Sequence, residues 1–440
     1  MKLNLPALKL GAGIHVPLPR MVRVRQTFAS SAIGQADIIA ALGRQFARDD
    51  IRSRIKPGMT IAVGVGSRGI DHLQLIVRTA VALLKQYGAE PFIVPAMGSH
   101  GGATAEGQAE VLAEYGITEE LVGAPVRSSM ETVHLGRVLN DVEVFFDKTA
   151  FEHADGIIVV SRIKPHTDFK SPIESGIVKM LGIGLGKHKG ASYLHRGGMA
   201  NFDRLLPAVA ALVMEKTPFL FGIGLVEDAF HQTSMIELVT KEQLPGREEE
   251  LLALAKRNMP RFWLQEIDAL IIDQIGKNIS GSGFDPNIVG RTANTKAYGQ
   301  FREAPPINKV AILGLTEQTD GNAVGIGLAD FTTRRTVERI DFDKVYTNAI
   351  TAVEIGAGKL PLILANDREA VTAAVYTGGQ RDFSRVRLVR IQHTLRMNEL
   401  LVSENMLDEV RRHPRMAIEG EPAEWAFDET GHLCAGDWDE

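Results

Sequence analysis

Short β-rich runs alternate along this chain with longer stretches whose apolar positions recur at helical spacing. Residues 60–65 and 91–95 read as strands, and residues 31–49 and 70–87 as helices. Thr104 is placed to cap a helix running to about 115, with Glu106 near its positive end. Apolar runs at 133–139 and 142–146 flank Asn140-Asp141, a hairpin signal. Residues 156–160 (Gly-Ile-Ile-Val-Val) are apolar at consecutive positions, as in a parallel strand covered on both faces. A helix at 203–216, a strand at 219–226 and a charged helix at 247–257 follow, ending at a joint near 258–264. The pattern then restarts, with strands at 269–272, 309–315, 360–364 and 386–389 and helices at 343–355 and 368–375. This alternation predicts an α/β fold: two α/β domains with largely parallel sheets and an active-site cleft between them. The expected boundaries are 1–264, 265–412 and an acidic tail at 413–440 that carries Trp425 and Trp438. That tail reads as a surface segment or as a strap packed on the first domain.

Composition narrows the function. With 440 residues, 45% apolar and 23% charged, the chain is long enough for two cores and is ordinary globular material. A net charge of −5 gives no electrostatic reason to expect nucleic acid or an anionic membrane as partner. No apolar run approaches the length a bilayer requires, and the N-terminal stretch is broken by Pro6 and Lys9. The lone Cys434 excludes an internal disulfide and a cysteine metal cage. A cytoplasmic protein is expected.

Candidate chemistry concentrates between Ser161 and Gly198, a segment dense in Lys, His and Gly, where His166, Lys179 and His195 stand out. Arg68, His100 and His166 each follow a predicted parallel strand, so they stand at equivalent strand ends, where α/β sheets bind ligands. Two glycine motifs carry less. Gly64-Val65-Gly66-Ser67-Arg68-Gly69 has the dinucleotide spacing, but the next strand ends in Pro95-Ala96-Met97 with no acid for a ribose; its glycines also suit a tight turn. Gly182–Lys187 lacks the first glycine of a phosphate loop, Leu181 standing there, and has His188 where Ser or Thr is needed.

In five places the chain resembles the nickel-pincer-dependent lactate racemases. Gly98-Ser99-His100 with Thr104 resembles one catalytic segment of that family, and Pro165-His166 the other. Lys179 falls where the family's lysine joins the cofactor, and His195 where its histidine ligates nickel. Gln274 and Lys277 resemble a substrate-contacting pair, and Arg68 the substrate-side arginine. The resemblance implies that His100 and His166 act as catalytic acid/bases. It implies a nickel-pincer nucleotide (nickel pyridinium-3,5-bisthiocarboxylic acid mononucleotide) bound covalently through Lys179, with His195 on the metal. Lys187, His188 and Lys189 form a basic patch suited to the cofactor's phosphate, or a solvated turn. The implied partners are a small 2-hydroxy acid and cofactor-maturation enzymes, with homo-oligomerisation left open.

Three departures point away from lactate itself. Val65 stands where those racemases usually carry Asp, Gly176-Ile177-Val178-Lys179 replaces Gly-Gly-x-Lys, and a longer loop brings Asp168, Lys170 and Glu174. The expected activity is therefore an isomerase, a racemase or epimerase of another 2-hydroxy acid. A nicotinamide-dependent 2-hydroxy acid dehydrogenase and a non-catalytic carboxylate- or nickel-binding relative are the alternatives.

Overall fold

The structure, a computed structural model, describes residues 15–438 apart from 67, 68, 140, 295, 296, 298, 435 and 437. The chain forms two compact units: Ala29–Met259, and Met1–Phe28 together with Pro260–Glu440. The first strand, β1 (Met21–Gln26), is the reason for the division. It pairs antiparallel with residues 399–403 and 416–418 of the distant C-terminal region. Residues 15–28, expected with the first domain, therefore belong to the other unit. Pairing between strands so far apart in sequence leaves no trace in a local hydrophobic pattern.

The Ala29–Met259 unit is built on five strands. β2 (Thr60–Val65) and β3 (Glu90–Pro95) come first, then a separate hairpin of β4 (Thr132–Val138) and β5 (Val142–Asp147). β6 (Gly156–Arg162), β7 (Phe219–Glu227) and β8 (Thr233–Thr240) complete the sheet, in the order β3-β2-β6-β7-β8. The first four of these are parallel, and β8 closes the edge antiparallel to β7. Alternate residues of β6 point to opposite layers: Ile157 and Val159 join one apolar core, Ile158 and Val160 the other. That double coverage explains the unbroken Ile-Ile-Val-Val run. Thr104 caps the Ala105–Glu114 helix as expected, its hydroxyl accepting from Gly107 N–H at 3.1 Å.

The loop expected between His166 and Lys179 runs on into helical structure. A short helix (Ile177–Lys179), a π-helical turn (Met180–Gly184) and a ten-residue helix (Lys187–Arg196) follow. Ile177, Val178, Leu181 and Leu194 are buried in the core on one face of the sheet. Glycines on β7 make room for them. A Cβ at Gly222 would lie 2.6–2.7 Å from three side-chain atoms of Ile177, and one at Gly224 would lie 2.8 Å from Ile163 Cδ1.

In the other unit, β9 (Ile267–Ile272), β10 (Ile307–Ile312), β11 (Phe331–Thr333), β12 (Leu362–Leu364) and β13 (Leu388–Ile391) run parallel. β14 (Glu399–Ser403) and β15 (Met416–Ile418) join β1 to extend the sheet antiparallel, in the order β12-β11-β10-β9-β13-β14-β1-β15. The acidic tail straps onto this unit. β15 pairs with β1, Trp425 Nε1 donates to Pro19 O at 3.0 Å, and Trp438 Nε1 donates to Asp273 at 2.7 Å. Among the described residues no helix is long and apolar enough to cross a membrane.

Gly222→Ala forces a methyl into Ile177 and should cost about 1–3 kcal/mol of stability, read from the urea midpoint at unchanged m.

Candidate active site

In the parallel sheet β2 lies between β3 and β6. The chain leaves β2 for β3 on one side and returns to β6 on the other, so the carboxyl ends of β2 and β6 flank a switch point. Ligands of open α/β sheets bind at such reversals. Arg68, expected at the end of β2, lies outside the described residues. The loop after β6 carries His166 and, eight residues on, Glu174.

Glu174 is what shapes that loop. Backbone bonds between Lys164 and Ser175 close its neck at 3.0 and 3.2 Å. Inside, the fully buried Glu174 carboxylate accepts from His166 N–H at 2.5 Å and from Ser171 N–H at 3.2 Å. Lys256, on the Gly246–Asn258 helix, pairs with the same carboxylate at 2.6 Å. A buried carboxylate is tolerable when hydrogen bonds and an opposite charge compensate it. Glu174, named from sequence only as one of the loop's charged residues, is thus its internal scaffold.

His166 is 8% exposed, and its Nε2 lies 2.7 Å from Lys179 Nζ. Burial holds the ring well below its ordinary pKa of 6.5, helped by the charges of Lys179 and Lys164, so it is neutral at physiological pH. A neutral imidazole has one N–H and one lone pair. Asp168 N–H donates to Nδ1 at 3.1 Å, and the Asp168 carboxylate lies 3.6 Å from the same nitrogen. Which nitrogen donates in the contact with Lys179 depends on the ring tautomer.

His195 completes the group from the last turn of the Lys187–Arg196 helix. Burial lowers its pKa from 6.5 to about 4, with Lys179 contributing, and Ala191's carbonyl engages the ring one turn earlier. A neutral ring donating to a carbonyl keeps its second nitrogen as a lone pair. Rings link the two histidines: His166 to Phe169 at 4.4 Å, Phe169 to Phe202 at 5.4 Å, and Phe202 to His195 at 5.5 Å. His166, Lys179 and His195 are therefore brought together.

The remaining expected residues are placed differently. His100 is exposed on the loop after β3, between Gly98 and Gly101, whose φ values of 61° and 62° suit glycine. Gly98 N–H donates to Gly184 O at 3.1 Å, tying that loop to the segment after Lys179. Gln274 and Lys277 belong to the other unit, after β9, where Lys277 Nζ donates to Gly281 O at 2.7 Å.

Lys187 requires a correction. Expected in a basic patch facing a phosphate, it is fully buried, 2.7 Å from Asp147 and donating to Pro95 O at 2.6 Å. Its charge is spent locking the Lys187–Arg196 helix to the ends of β3 and β5. His188 and Lys189 remain exposed, Lys189 Nζ lying 4.2 Å from the Phe145 ring centroid. The glycine motifs are packing devices: a Cβ at Gly64 would meet Val159 at 3.0 Å, and one at Gly184 would meet Ala96 O at 2.7 Å.

Glu248 went unnoticed in the sequence, where it stands in a run of three glutamates that looks like a solvated helix face. It is 1% exposed and accepts from Val178 N–H at 3.0 Å, with Ile177 N–H adding to the grip. Its Oε1 has no hydrogen-bond partner among the described residues. Burial pushes its carboxyl up from 4.5 to about 7.

Among the described residues no three His, Cys, Asp or Glu cluster as a metal cage. A nickel-pincer nucleotide brings its own carbon and sulfur donors, so one neutral imidazole and one amine are what it asks of the protein. His195 and Lys179 supply those two groups, and the residues fit it on that count.

A domain of unknown function (DUF362) matches residues 63–239, a span that contains His100, His166, Lys179 and His195. No curated protein matches the chain. A crystal structure of a Thermotoga maritima protein, a structural-genomics target, is similar at TM-score 0.50 and 12% identity, covering 82% of this chain and 94% of its own. That is a likeness of fold. The lactate racemase apoprotein of Thermoanaerobacterium thermosaccharolyticum is similar at TM-score 0.45 and 14% identity, covering 78% of this chain and 83% of its own.

Two stability measurements test these assignments. Lys187→Ala strands a buried Asp147 and should cost about 3–5 kcal/mol in urea unfolding. Glu248 has a folded pKa above its unfolded one, so its stabilisation is complete below 4.5 and is lost as pH rises through about 7. Glu248→Gln should remove about 3 kcal/mol of the fall in unfolding free energy between pH 4.5 and 8, measured across that range.

Proposed function

We propose that this chain is a racemase or epimerase of a 2-hydroxy carboxylic acid other than lactate, with a nickel-pincer nucleotide held through Lys179 and His195. The observation that carries this reading is the 2.7 Å contact between Lys179 Nζ and His166 Nε2 beside a second neutral imidazole. When bound, that group supplies reversible hydride acceptance, which inverts a 2-hydroxy acid without the dianion that removing its Cα proton would create.

The chain's own residues handle protons and position. In this reading a cofactor-linked Lys179 nitrogen would accept no proton from His166, and the ring would carry its proton on Nδ1, toward the Asp168 carboxylate 3.6 Å away and in place of the bond from Asp168 N–H. Nε2 is left with a lone pair and takes the substrate's hydroxyl proton as general base. His100 is the second base for the mirror-image substrate. Arg68 suits a bidentate hold on the carboxylate. Gln274 and Lys277 enter this reading through the sequence resemblance alone.

The test is protein produced together with cofactor-building enzymes, loaded with nickel and given a panel from lactate and malate to sugar acids, with products separated by chiral chromatography. Racemisation of at least one acid other than lactate is expected, with a mass adduct mapping to Lys179. Lys179→Arg should abolish the adduct, and His166→Asn should lower kcat by about 10²–10⁴-fold. Racemisation by protein whose Lys179 is unmodified would overturn the linkage. Net keto acid formation with added NAD would favour a dehydrogenase instead.

A further inference from the structure

Both members of the reacting pair are held from behind by one helix, Gly246–Asn258. Glu248, in its first turn, grips the turn that carries Lys179 through Val178 N–H at 3.0 Å. Lys256, eight residues on, pairs at 2.6 Å with Glu174, whose other oxygen accepts His166 N–H at 2.5 Å. Eight helical residues span about 12 Å, so a rigid rod sets the spacing of the two grips. The rod itself is fixed. Arg247 bonds Glu237 of β8 at 2.7 and 2.8 Å, and Leu251, Leu252 and Ala255 are buried in the core.

Glu248 is an expensive way to hold a turn, because its carboxyl is buried with one oxygen unpartnered. A methyl at position 176 would overlap Oε1, so Gly176 leaves the space that lets the carboxyl reach Val178. Local rules broken at such cost mark functional positions more than structural ones. We propose that Glu248 and Lys256 are positioning residues, Glu248 setting Lys179 and Lys256 setting His166 through Glu174, so that this helix fixes the amine–imidazole contact. The inference rests on the reading of Lys179 as a reactive amine.

The experiment is trace acetylation of the full-length protein at pH 7 with acetic anhydride, quantified by peptide mass spectrometry as the ratio of Lys179 to exposed Lys56, alongside thermal melting. In the unmutated protein Lys179 should react at least tenfold faster than Lys56, since an ordinary lysine of pKa about 10.4 is almost wholly charged at pH 7. Glu248→Ala should lower the ratio about tenfold, and Glu248→Gln, which still accepts from Val178 N–H, should restore it to within twofold. Lys256→Met should lower it severalfold by releasing His166. A Glu248→Ala ratio equal to that of the unmutated protein, or a Gln variant as impaired as Ala, overturns the role of Glu248. An unchanged Lys256→Met ratio overturns that of Lys256, and decides the matter should Glu248→Ala fail to fold. An unmutated Lys179 no faster than Lys56 would instead sink the amine reading on which the inference rests.

Discussion

Two basic nitrogens cannot share one hydrogen bond unless one of them carries the proton and the other a lone pair. The Lys179–His166 contact at 2.7 Å is under that constraint, and Asp168 faces the other ring nitrogen through both its N–H and its carboxylate. Desolvation keeps His166 neutral at physiological pH. The chemistry of the site therefore follows from burial, and burial follows from how the segment after β6 is folded down onto the sheet.

That folding combines helical turns with buried carboxylates and missing side chains. Glu174 gathers two backbone N–H groups that no ladder satisfies, and Glu248 does the same for the turn ahead of Lys179. Glycines at 176, 222 and 224 leave the room into which Glu248, Ile177 and Ile163 fit. Such a site is held tightly but at a cost, since each buried carboxyl lowers stability unless fully compensated. Lys187 and Asp147 anchor the same segment at its other end as a buried ion pair.

The comparisons bear on architecture more than on chemistry. A fold shared at 12% identity shows where a parallel sheet gathers its loops, but a fold of this class hosts many reactions. The functional reading stands on side chains: the contact of Lys179 with a buried, neutral His166, and a second neutral imidazole at His195.

The α/β class, the buried parallel strand at 156–160 and the capped helix after Thr104 were legible in the sequence, because each rests on local periodicity or on a side chain bonding its own neighbours. His166, Lys179 and His195 could be picked out by residue type and spacing. Tertiary structure alone decided that β1 and the acidic tail join the C-terminal sheet, since strand partners hundreds of residues apart carry no local signature. It also separated Lys187 from His188 and Lys189, and Glu248 from Glu249 and Glu250, adjacent polar residues of which one is buried and two are exposed. Sequence names the groups that can titrate; the dielectric and hydrogen bonds that set their protonation exist only once distant segments pack around them.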